Sequence, residues 1–308
     1  MSSGVSVVIP THNRPQLMLK ALESVLGQSI LGQSDSVPLE VVIVFDACPV
    51  EVPQVSIPAG ATVRGIANNR TRGLAGARNS GIVAAQHSLV AFLDDDDTWL
   101  PGKLEAQLRQ LSQTPAAIVV GTAMEIDDGT RRRVRLSERD RLNHEDFLRN
   151  RHPAVHSSSL LLRREDLLGR LGLIDEDLPR SYGEDYDLLL RASALGPVHV
   201  VNQPLIVALW SGQSYYFGQW ADYARALQYL LRKHPDIWAI PSALGRIEAQ
   251  IAFALAASDQ PQRARSWARR ALRHDWRQVK AVLAVLISWH LTTPQRISAI
   301  VQRFGRGI

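Results

Sequence analysis

"LVAFLDDDDTWLPGKL", residues Leu89 to Leu104, joins an apolar run directly to four consecutive aspartates. The apolar part is short and rich in branched and aromatic side chains, which is typical of a buried β-strand. Carboxylates this close repel one another, and each loses hydration beside a buried strand. A divalent cation would relieve the repulsion, because carboxylate oxygens are preferred ligands of Mg²⁺ and Mn²⁺. The alternative is an acidic loop whose first aspartate caps the helix that follows.

Strand and helix patterns alternate on both sides of this stretch. The sequence predicts buried strands over Val5–Pro10, Leu39–Asp46, Ser88–Asp94 and Ala116–Ile126, because each run is mainly apolar and β-branched. The segments between them have apolar residues at helical spacing, and proline or glycine stands where a helix would start. This β-α-β-α-β-α-β order predicts an α/β fold, with a mostly parallel sheet and helices on both faces.

Polar side chains follow three of these strands at the point where each strand ends. Thr11 follows the first strand, Asp46 ends the second, and Asp94 to Asp97 end the third. Ligands of open α/β sheets bind outside the carboxyl ends of the strands. We therefore expect these three segments to meet in one crevice.

The second half of the chain is less regular until about Gln219. Residues 127–141 are polar and predicted to be irregular, and residues 197–210 have strand character but contain two prolines, which predicts an edge strand. From Gln219 onward, four helical patterns are separated by prolines. The sequence thus predicts two regions, an α/β domain over residues 1–215 and a helical region over residues 216–308.

Composition narrows the class of protein. The chain of 308 residues is 45% hydrophobic and has one cysteine, so it can fill a core but cannot form an internal disulfide. Its net charge of +5 suits anionic partners, but no nucleic-acid-binding motif is present, so no nucleic-acid partner is expected. The N-terminus lacks the pattern of a signal peptide, and the longest apolar stretch, Ala281 to Trp289, is too short to span a bilayer. These features favour a cytoplasmic protein.

Five segments share the order of motifs of a known enzyme family. In chain order they are "VSVVIPTHNRPQLMLKALESVLGQS", "LEVVIVFDA", "GARNSGIVAA", "VAFLDDDDTWLPGKLE" and "GEDYDLLLRA". Between about residues 4 and 212 the chain resembles the inverting family-2 glycosyltransferases, whose GT-A fold has a Rossmann-like nucleotide-binding half and an acceptor half. The C-terminal helices lie outside the resemblance. It implies transfer of a sugar from a nucleoside-diphosphate sugar, with UDP the expected nucleotide, to an acceptor hydroxyl with the help of Mg²⁺ or Mn²⁺.

The resemblance assigns donor binding to residues near the strand ends. Thr11 would lie near the base and ribose, and Arg78 near the nucleotide and its phosphates. Asp46 would bind the base, although the family commonly has two adjacent acids there and this chain has Phe45 before Asp46.

The resemblance also separates the four aspartates. Asp94 and Asp96 occupy the ends of the family's Asp-X-Asp motif and are the expected metal ligands, with Asp94 and Asp95 assigned to the donor site. Asp97 stays open between capping the next helix and supporting the metal from behind.

The acceptor side has a candidate base. Asp185 in "GEDYDLLLRA" would take the proton of the acceptor hydroxyl, with Glu184 as the second choice for this role. Burial and the like charge of Glu184 are expected to raise the pKa of Asp185. The alternative makes both of them first-turn acids that only favour the helix dipole.

Several residues keep two interpretations. His156 would line the acceptor or sugar pocket or be a structural hydrogen-bonding residue, and Trp99 would stack on a sugar or belong to the core. The arginines between residues 263 and 273, with the apolar segment that follows them, would hold the protein peripherally on anionic lipids at the inner face of a membrane. They would otherwise be the solvated face of packed helices.

Two other function classes compete with the transferase. A non-catalytic nucleotide-sugar-binding module has the same fold, but the presence of Asp94, Asp96 and Asp185 argues against it. A nucleotidyltransferase would be expected to carry a glycine-rich phosphate loop after the first strand, and "PTHNRPQ" lacks one. The acceptor is expected to be a growing surface polysaccharide, a lipid-linked oligosaccharide or a small molecule. The sequence leaves the oligomeric state undetermined.

Overall fold

A computed structural model describes residues 2–30, 37–210 and 219–297. The strands are β1 (Ser2–Thr11), β2 (Leu39–Phe45), β3 (Ala61–Ala67), β4 (His87–Phe92), β5 (Thr98–Trp99), β6 (Val119–Asp127), β7 (Arg132–Arg135), β8 (Arg141–Leu142), β9 (Leu161–Arg163) and β10 (Val198–Leu209). The α-helices are α1 (Pro15–Leu26), α2 (Leu74–Ala84), α3 (Lys103–Gln113), α4 (His144–Arg149), α5 (Arg164–Leu168), α6 (Glu184–Leu195), α7 (Trp220–Lys233), α8 (Pro241–Ala257), α9 (Pro261–His274) and α10 (Val279–Ser288). Short 3₁₀ turns cover Ser157–Ser159, Pro179–Ser181 and Pro235–Ala239.

The strands form one mixed, mostly parallel sheet, as the sequence predicts. Its order is β3-β2-β1-β4-β9-β6-β10-β5, with β7 paired to β6 and β8 paired to β10. The first four strands in this order are parallel, whereas β9 runs antiparallel to both of its neighbours. The parallel part places the carboxyl ends of β1, β2 and β4 at one edge, where the candidate site lies.

Glycines let α2 pack directly on the sheet. A Cβ atom added at Gly81 would lie 2.3 Å from Cγ1 of Val8 on β1. Gly73, with φ of 121°, precedes the first residue of the helix, and this backbone conformation favours glycine. Both glycines therefore fix the position of Arg78, which lies in the middle of α2.

Three parts of the sheet differ from the prediction. Strand β3, with the sequence ATVRGIA, lacks a continuous apolar run and was not predicted. It forms because it pairs with β2 along the whole length of that strand. The polar segment after residue 127 forms β7, which pairs antiparallel with β6. Strand β10 is not an edge strand, because β6 pairs with one side of it and β5 and β8 with the other. Pro204 is tolerated there because the β6–β10 register shifts on either side of it.

The helices after residue 219 follow the four predicted patterns as α7, α8, α9 and α10. They belong to a second compact unit, which also includes Leu148–Asn150 and Asp177–Gly183. Alanines and glycine on α8 and α9 permit close packing between these two helices. The buried alanines and glycine are Ala243, Gly245, Ala249, Ala252, Ala254, Ala256, Ala264, Ala268 and Ala271. Within the three described ranges, no helix combines the length and apolar character needed to cross a bilayer.

Candidate active site

A turn of three serines organises the aspartates after β4. The hydroxyl of Ser157 donates to Asp94 Oδ2 at 3.0 Å, and that of Ser158 donates to Asp97 Oδ2 at 2.6 Å. The backbone N–H of Asp94 in turn donates to the Ser158 hydroxyl at 3.1 Å. The serine turn therefore holds two of the four carboxylates in fixed positions.

The middle two aspartates bind the end of β1 and the residues after it. The Thr11 hydroxyl donates to Asp95 Oδ2 at 2.8 Å. The Arg14 guanidinium bonds Asp95 at 3.2 Å and Asp96 at 3.0 Å. The expected meeting of the strand ends is thus confirmed for β1 and β4. Burial raises the pKa of Asp95 to about 6 and also raises the pKa of Asp96, against the opposing charge of Arg14.

Asp46 holds the loop that leads into α2. Its carboxylate accepts from the Asn68 side chain at 2.7 Å and from the Gly73 N–H at 3.0 Å, and its own N–H donates to the Thr11 carbonyl at 2.9 Å. Both carboxylate oxygens therefore have partners within the protein. The predicted contact of Asp46 with a base stays a prediction.

Arg78 connects the two halves of the predicted site. Its side chain is almost fully buried and forms ion pairs with Asp94 through Nη2 and with Glu184 through Nη1. Burial opposes the charge on Asp94, but the guanidinium outweighs it and lowers the pKa of this carboxyl. Glu184 is different, because burial and the nearby charges of Asp185 and Asp94 raise its pKa to about 7 despite Arg78. Arg78 Nε is buried and has no hydrogen-bond partner within the described chain.

Asp185 has its own arginine. Nη2 of Arg151 lies 2.8 Å from each oxygen of the Asp185 carboxylate. Burial disfavours the charged form, but Arg151 outweighs burial and lowers the pKa of Asp185. The prediction of a raised pKa for Asp185 is therefore wrong. The sequence could not reveal the cause, because Arg151 lies in an irregular segment with no pattern that pairs it with this acid. Of the two neighbouring acids, Glu184 has the raised pKa.

Ligand atoms of Asp94, Asp97 and His156 lie within 4.8 Å of one another. Carboxylate oxygens suit Mg²⁺ and Mn²⁺, and imidazole nitrogen is a common metal ligand, so the residues present fit a divalent cation. Burial raises the pKa of Asp97 to about 7, and Nδ1 of His156 lies 3.3 Å from its Oδ2 atom. Among the described residues, Asp96 is not part of this group. The assignment of Asp96 as a ligand stays a prediction.

A buried network from α3 supports the serine turn. The Gln107 side chain donates to the carbonyls of Val120 and Ser159 at 2.6 and 2.7 Å, and accepts from Lys103 Nζ at 2.6 Å. Lys103 is fully buried, and its Nζ lies 3.8 Å from the centroid of the Trp99 ring. Burial lowers the pKa of Lys103 well below its usual value.

Trp99 itself belongs to the core. It is buried and donates from Nε1 to the Ser158 carbonyl at 2.8 Å, so stacking on a sugar is not its role.

Several residues of the candidate site were missed or left open in the sequence. His156 and the serines gave a weak signal, the polar run "HSSS" before a strand. Arg14 follows β1 directly, as polar residues of such sites commonly do, but its partners were not predictable. Arg151 gave no signal.

Comparison with known proteins agrees with this arrangement. The model of the family described as glycosyl transferase family 2 matches residues 6–171, which is more than half of the chain. The chain belongs to glycosyl transferase family 2. The matched part of this family-2 transferase contains the sheet edge, the four aspartates and the serine turn. Glu184 and Asp185 lie beyond it.

A curated relative of this family-2 enzyme is named for amylovoran biosynthesis. The amylovoran biosynthesis glycosyltransferase AmsE of Erwinia amylovora is 30% identical over 111 residues. The match spans 36% of this chain and 40% of AmsE.

Solved structures of low identity share the fold of the family-2 enzyme. TarS of S. aureus, in complex with UDP-GlcNAc, has a TM-score of 0.54 and 14% identity, with 94% of this chain and 92% of that chain covered. In another TarS structure only 55% of that chain is covered. The mannosyltransferase PcManGT of Pyrobaculum calidifontis, in complex with GDP-Man and Mn²⁺, has a TM-score of 0.55 and 18% identity, with 99% and 85% covered.

Proposed function

We propose that this family-2 glycosyltransferase moves a sugar from a UDP-sugar to an acceptor hydroxyl with inversion at the anomeric carbon. The contact that carries the proposal is the buried Arg78, which bonds Asp94 on the donor side and Glu184 on the acceptor side. Asp94 and Glu184, the neighbour of Asp185, thus share one guanidinium. A single displacement needs such a pair of sites, one for the diphosphate and one for the attacking hydroxyl. We assign this chemistry to residues 1–215 and treat residues 216–308 as a separate helical region.

The donor site consists of the residues at the ends of β1, β2 and β4. Thr11, Asp46 and Arg78 would contact the nucleotide, with Asp94 and Asp95 beside the diphosphate. Asp94, with Asp96 or with Asp97 and His156, would hold a divalent cation, which would supply positive charge beside the leaving diphosphate. UDP is proposed as the nucleotide, although TarS and PcManGT were solved with UDP-GlcNAc and GDP-Man respectively.

Asp185 is our proposed base. Its lowered pKa means that it is ionised at neutral pH and ready to accept a proton. Glu184, with a pKa of about 7, would be partly protonated there and is paired with Arg78. Arg151 Nη2 bonds both carboxylate oxygens, and the remaining lone pairs of an ionised carboxylate can accept from the acceptor hydroxyl.

The donor assignment is tested by calorimetry with a panel of nucleotide sugars, with and without Mn²⁺. We expect metal-dependent binding of a UDP-sugar that Asp96→Ala or Asp94→Asn abolishes. Glu138→Gln, at an exposed position away from the site, is the matched control and should bind like the unaltered enzyme. Absence of metal-dependent nucleotide binding would refute the donor site, and retained binding in Asp96→Ala would leave the cation to Asp94, Asp97 and His156.

The base assignment is tested by single-turnover transfer. Asp185→Asn should lower the transfer rate by about 10²- to 10⁴-fold while the donor still binds. Full activity in Asp185→Asn, with loss in Glu184→Gln, would move the base to Glu184. Donor binding without transfer to any acceptor would favour the alternative, a non-catalytic sugar-nucleotide-binding module.

The acceptor is proposed to be a growing surface polysaccharide or a lipid-linked oligosaccharide, in line with the role of AmsE in amylovoran biosynthesis. A small-molecule acceptor is the remaining choice. Acceptors of the first two kinds are met at a membrane, so we place the enzyme in the cytoplasm, in peripheral contact with the inner face of the membrane.

A further inference from the structure

Helix α9 carries an unbalanced positive charge. It has five arginines and no carboxylate in 14 residues. Arg270 is paired with Glu248 of α8 at 2.8 Å. Arg269 and Arg273 are exposed one helical turn apart, and neither contacts a carboxylate of the described ranges. Like charges at this spacing repel, so an anionic partner outside the chain would stabilise them.

The segment after α9 exposes large apolar side chains. The four most exposed ones in the described part of the chain are Trp276 at 76%, Leu291 at 70%, Val279 at 67% and Trp289 at 61%. Val282, also exposed, lies one turn after Val279 on α10. Single exposed apolar residues are common on proteins, but several together mark an interaction surface.

The charged and apolar side chains meet in one cleft between α9 and α10. The Arg265 guanidinium lies 4.8 Å from the centroid of the Trp289 ring and donates to the Ser288 carbonyl at 3.1 Å. Both helices belong to the second compact unit, so the cleft is built within that unit. Its lining residues are Arg265, Arg269, Leu272, Arg273, Val285 and Trp289.

We propose that this α9–α10 face docks on a bilayer of anionic phospholipids. Guanidinium groups bind lipid phosphates, tryptophan rings favour the depth of the headgroups, and aliphatic side chains enter the acyl layer below. Arg269 and Arg273 would bind phosphates, Trp289 would lie at headgroup depth, and Val279 and Val282 would insert. The proposal names the surface by which the enzyme would contact the membrane in the proposed function. It rests on that peripheral membrane location alone and not on sugar transfer.

The apolar side chains favour lipid over nucleic acid. A sugar–phosphate backbone would pair with the arginines and its bases would stack on tryptophan, but it offers nothing to Val279, Val282 and Leu291. A bilayer surface satisfies the charges and the aliphatic groups together.

The test uses the full chain and co-sedimentation with vesicles. Phosphatidylcholine vesicles are compared with vesicles that also contain phosphatidylglycerol. We expect binding to the anionic vesicles, weakened by salt, and weak binding to the neutral ones. Arg269→Gln combined with Arg273→Gln should lower the partition coefficient by roughly 25-fold, about fivefold for each arginine. Trp289→Ala should weaken binding while the circular dichroism of the helices is kept.

A matched control removes the same charge elsewhere. Arg109→Gln combined with Arg131→Gln, both exposed in the other unit, should bind vesicles like the unaltered protein. Equal binding to both kinds of vesicle, or unaltered binding by the Arg269 and Arg273 double variant, would overturn the proposal. RNA binding by the unaltered protein that the double variant loses, with vesicle binding unchanged, would assign the arginines to nucleic acid and also overturn the proposal. An enzyme that binds vesicles but no nucleotide sugar would refute the transferase and leave the docking surface intact.

Discussion

Asp94 and Asp97 face different charges although only two residues separate them. Arg78 pairs with Asp94 and lowers its pKa, whereas burial raises the pKa of Asp97 to about 7. Asp94 is therefore ionised at neutral pH and can bind a cation without losing a proton. Asp97 must give up a proton to do so, and cation binding through it would release protons in a pH-dependent way.

With Asp185 as the proposed base, its pairing with Arg151 would set the acid limb of the pH–rate profile. A base works in its unprotonated form, so the rate falls as the pH drops through its pKa. Arg151 lowers the pKa of Asp185, so Arg151→Gln should raise that pKa and move the acid limb of kcat/KM to higher pH. Arg139→Gln removes a similar partner from Asp146 and should leave the limb in place. An unmoved limb in Arg151→Gln would show that Asp185 does not titrate in the rate.

At the scale of elements, the serine turn is what fixes the aspartates. The hydroxyls of Ser157 and Ser158 bond the carboxylates of Asp94 and Asp97, which would otherwise repel each other without a fixed position. Groups that orient metal ligands from behind typically change metal affinity when removed. The serine turn is itself held by α3. Helix α3 therefore supports the aspartate loop that precedes it, through the serine turn.

Ser158→Ala should weaken Mn²⁺ binding by about tenfold to a hundredfold. The substitution removes the donor to Asp97 and the acceptor of the Asp94 N–H. Ser112→Ala is the matched control, because its hydroxyl donates to the Arg109 carbonyl at 2.7 Å at an exposed position of α3. Calorimetric titration with Mn²⁺ measures both variants, and equal affinities would remove the serine turn from the cation site.

Gln107→Leu should destabilise the protein by roughly 1–3 kcal/mol for each carbonyl left without a donor. The two carbonyls, of Val120 and Ser159, are buried with the glutamine. Gln110→Leu on the same helix is the control, since its side chain has no such partners among the described residues. Urea unfolding measures the free energy of unfolding, and equal midpoints for the two variants would contradict the network.

At the scale of the whole molecule, the buried acids make stability depend on pH in an unusual direction. Asp95, Asp97 and Glu184 have pKa values of about 6, 7 and 7. Between about pH 4 and 7 the folded protein therefore binds these protons more tightly than the unfolded chain does. These groups make their full contribution to the free energy of unfolding near pH 4, and that contribution is lost as the pH rises through their pKa values in the folded protein.

Thermal unfolding in the presence of a chelator should accordingly give a lower Tm at pH 7.5 than at pH 5. Asp97→Asn removes one of the responsible groups and should reduce the difference in Tm, whereas Glu138→Gln should keep it. A Tm that rises steadily over this pH range would show that these acids are ionised in the folded protein.

Local patterns predicted the fold class and the sheet edge at which the candidate site lies. The apolar run before Asp94 predicted β4, and the glycines before α2 and α6 predicted where these helices begin. Each of these signals lies within the element or next to it. Strand β3 was missed because its formation depends on pairing with β2 rather than on its own apolar content.

The partners of the charged groups could not be predicted in the same way. Arg151 and Asp185 are 34 residues apart, and Arg78 and Glu184 are 106 apart. Such pairs depend on how elements cross in space, and no spacing rule in the sequence encodes them. The candidate acids could therefore be named from the sequence, but their arginine partners and the direction of the Asp185 pKa shift could not.

The shared guanidinium of Arg78 has a consequence for how two substrates affect each other. A donor diphosphate that attracts this group draws it away from Asp94 or Glu184, because one guanidinium cannot serve three anions equally well. The charge beside Asp185 then depends on whether the nucleotide sugar is bound. Linkage makes this effect reciprocal: the factor by which donor alters acceptor affinity equals the factor by which acceptor alters donor affinity.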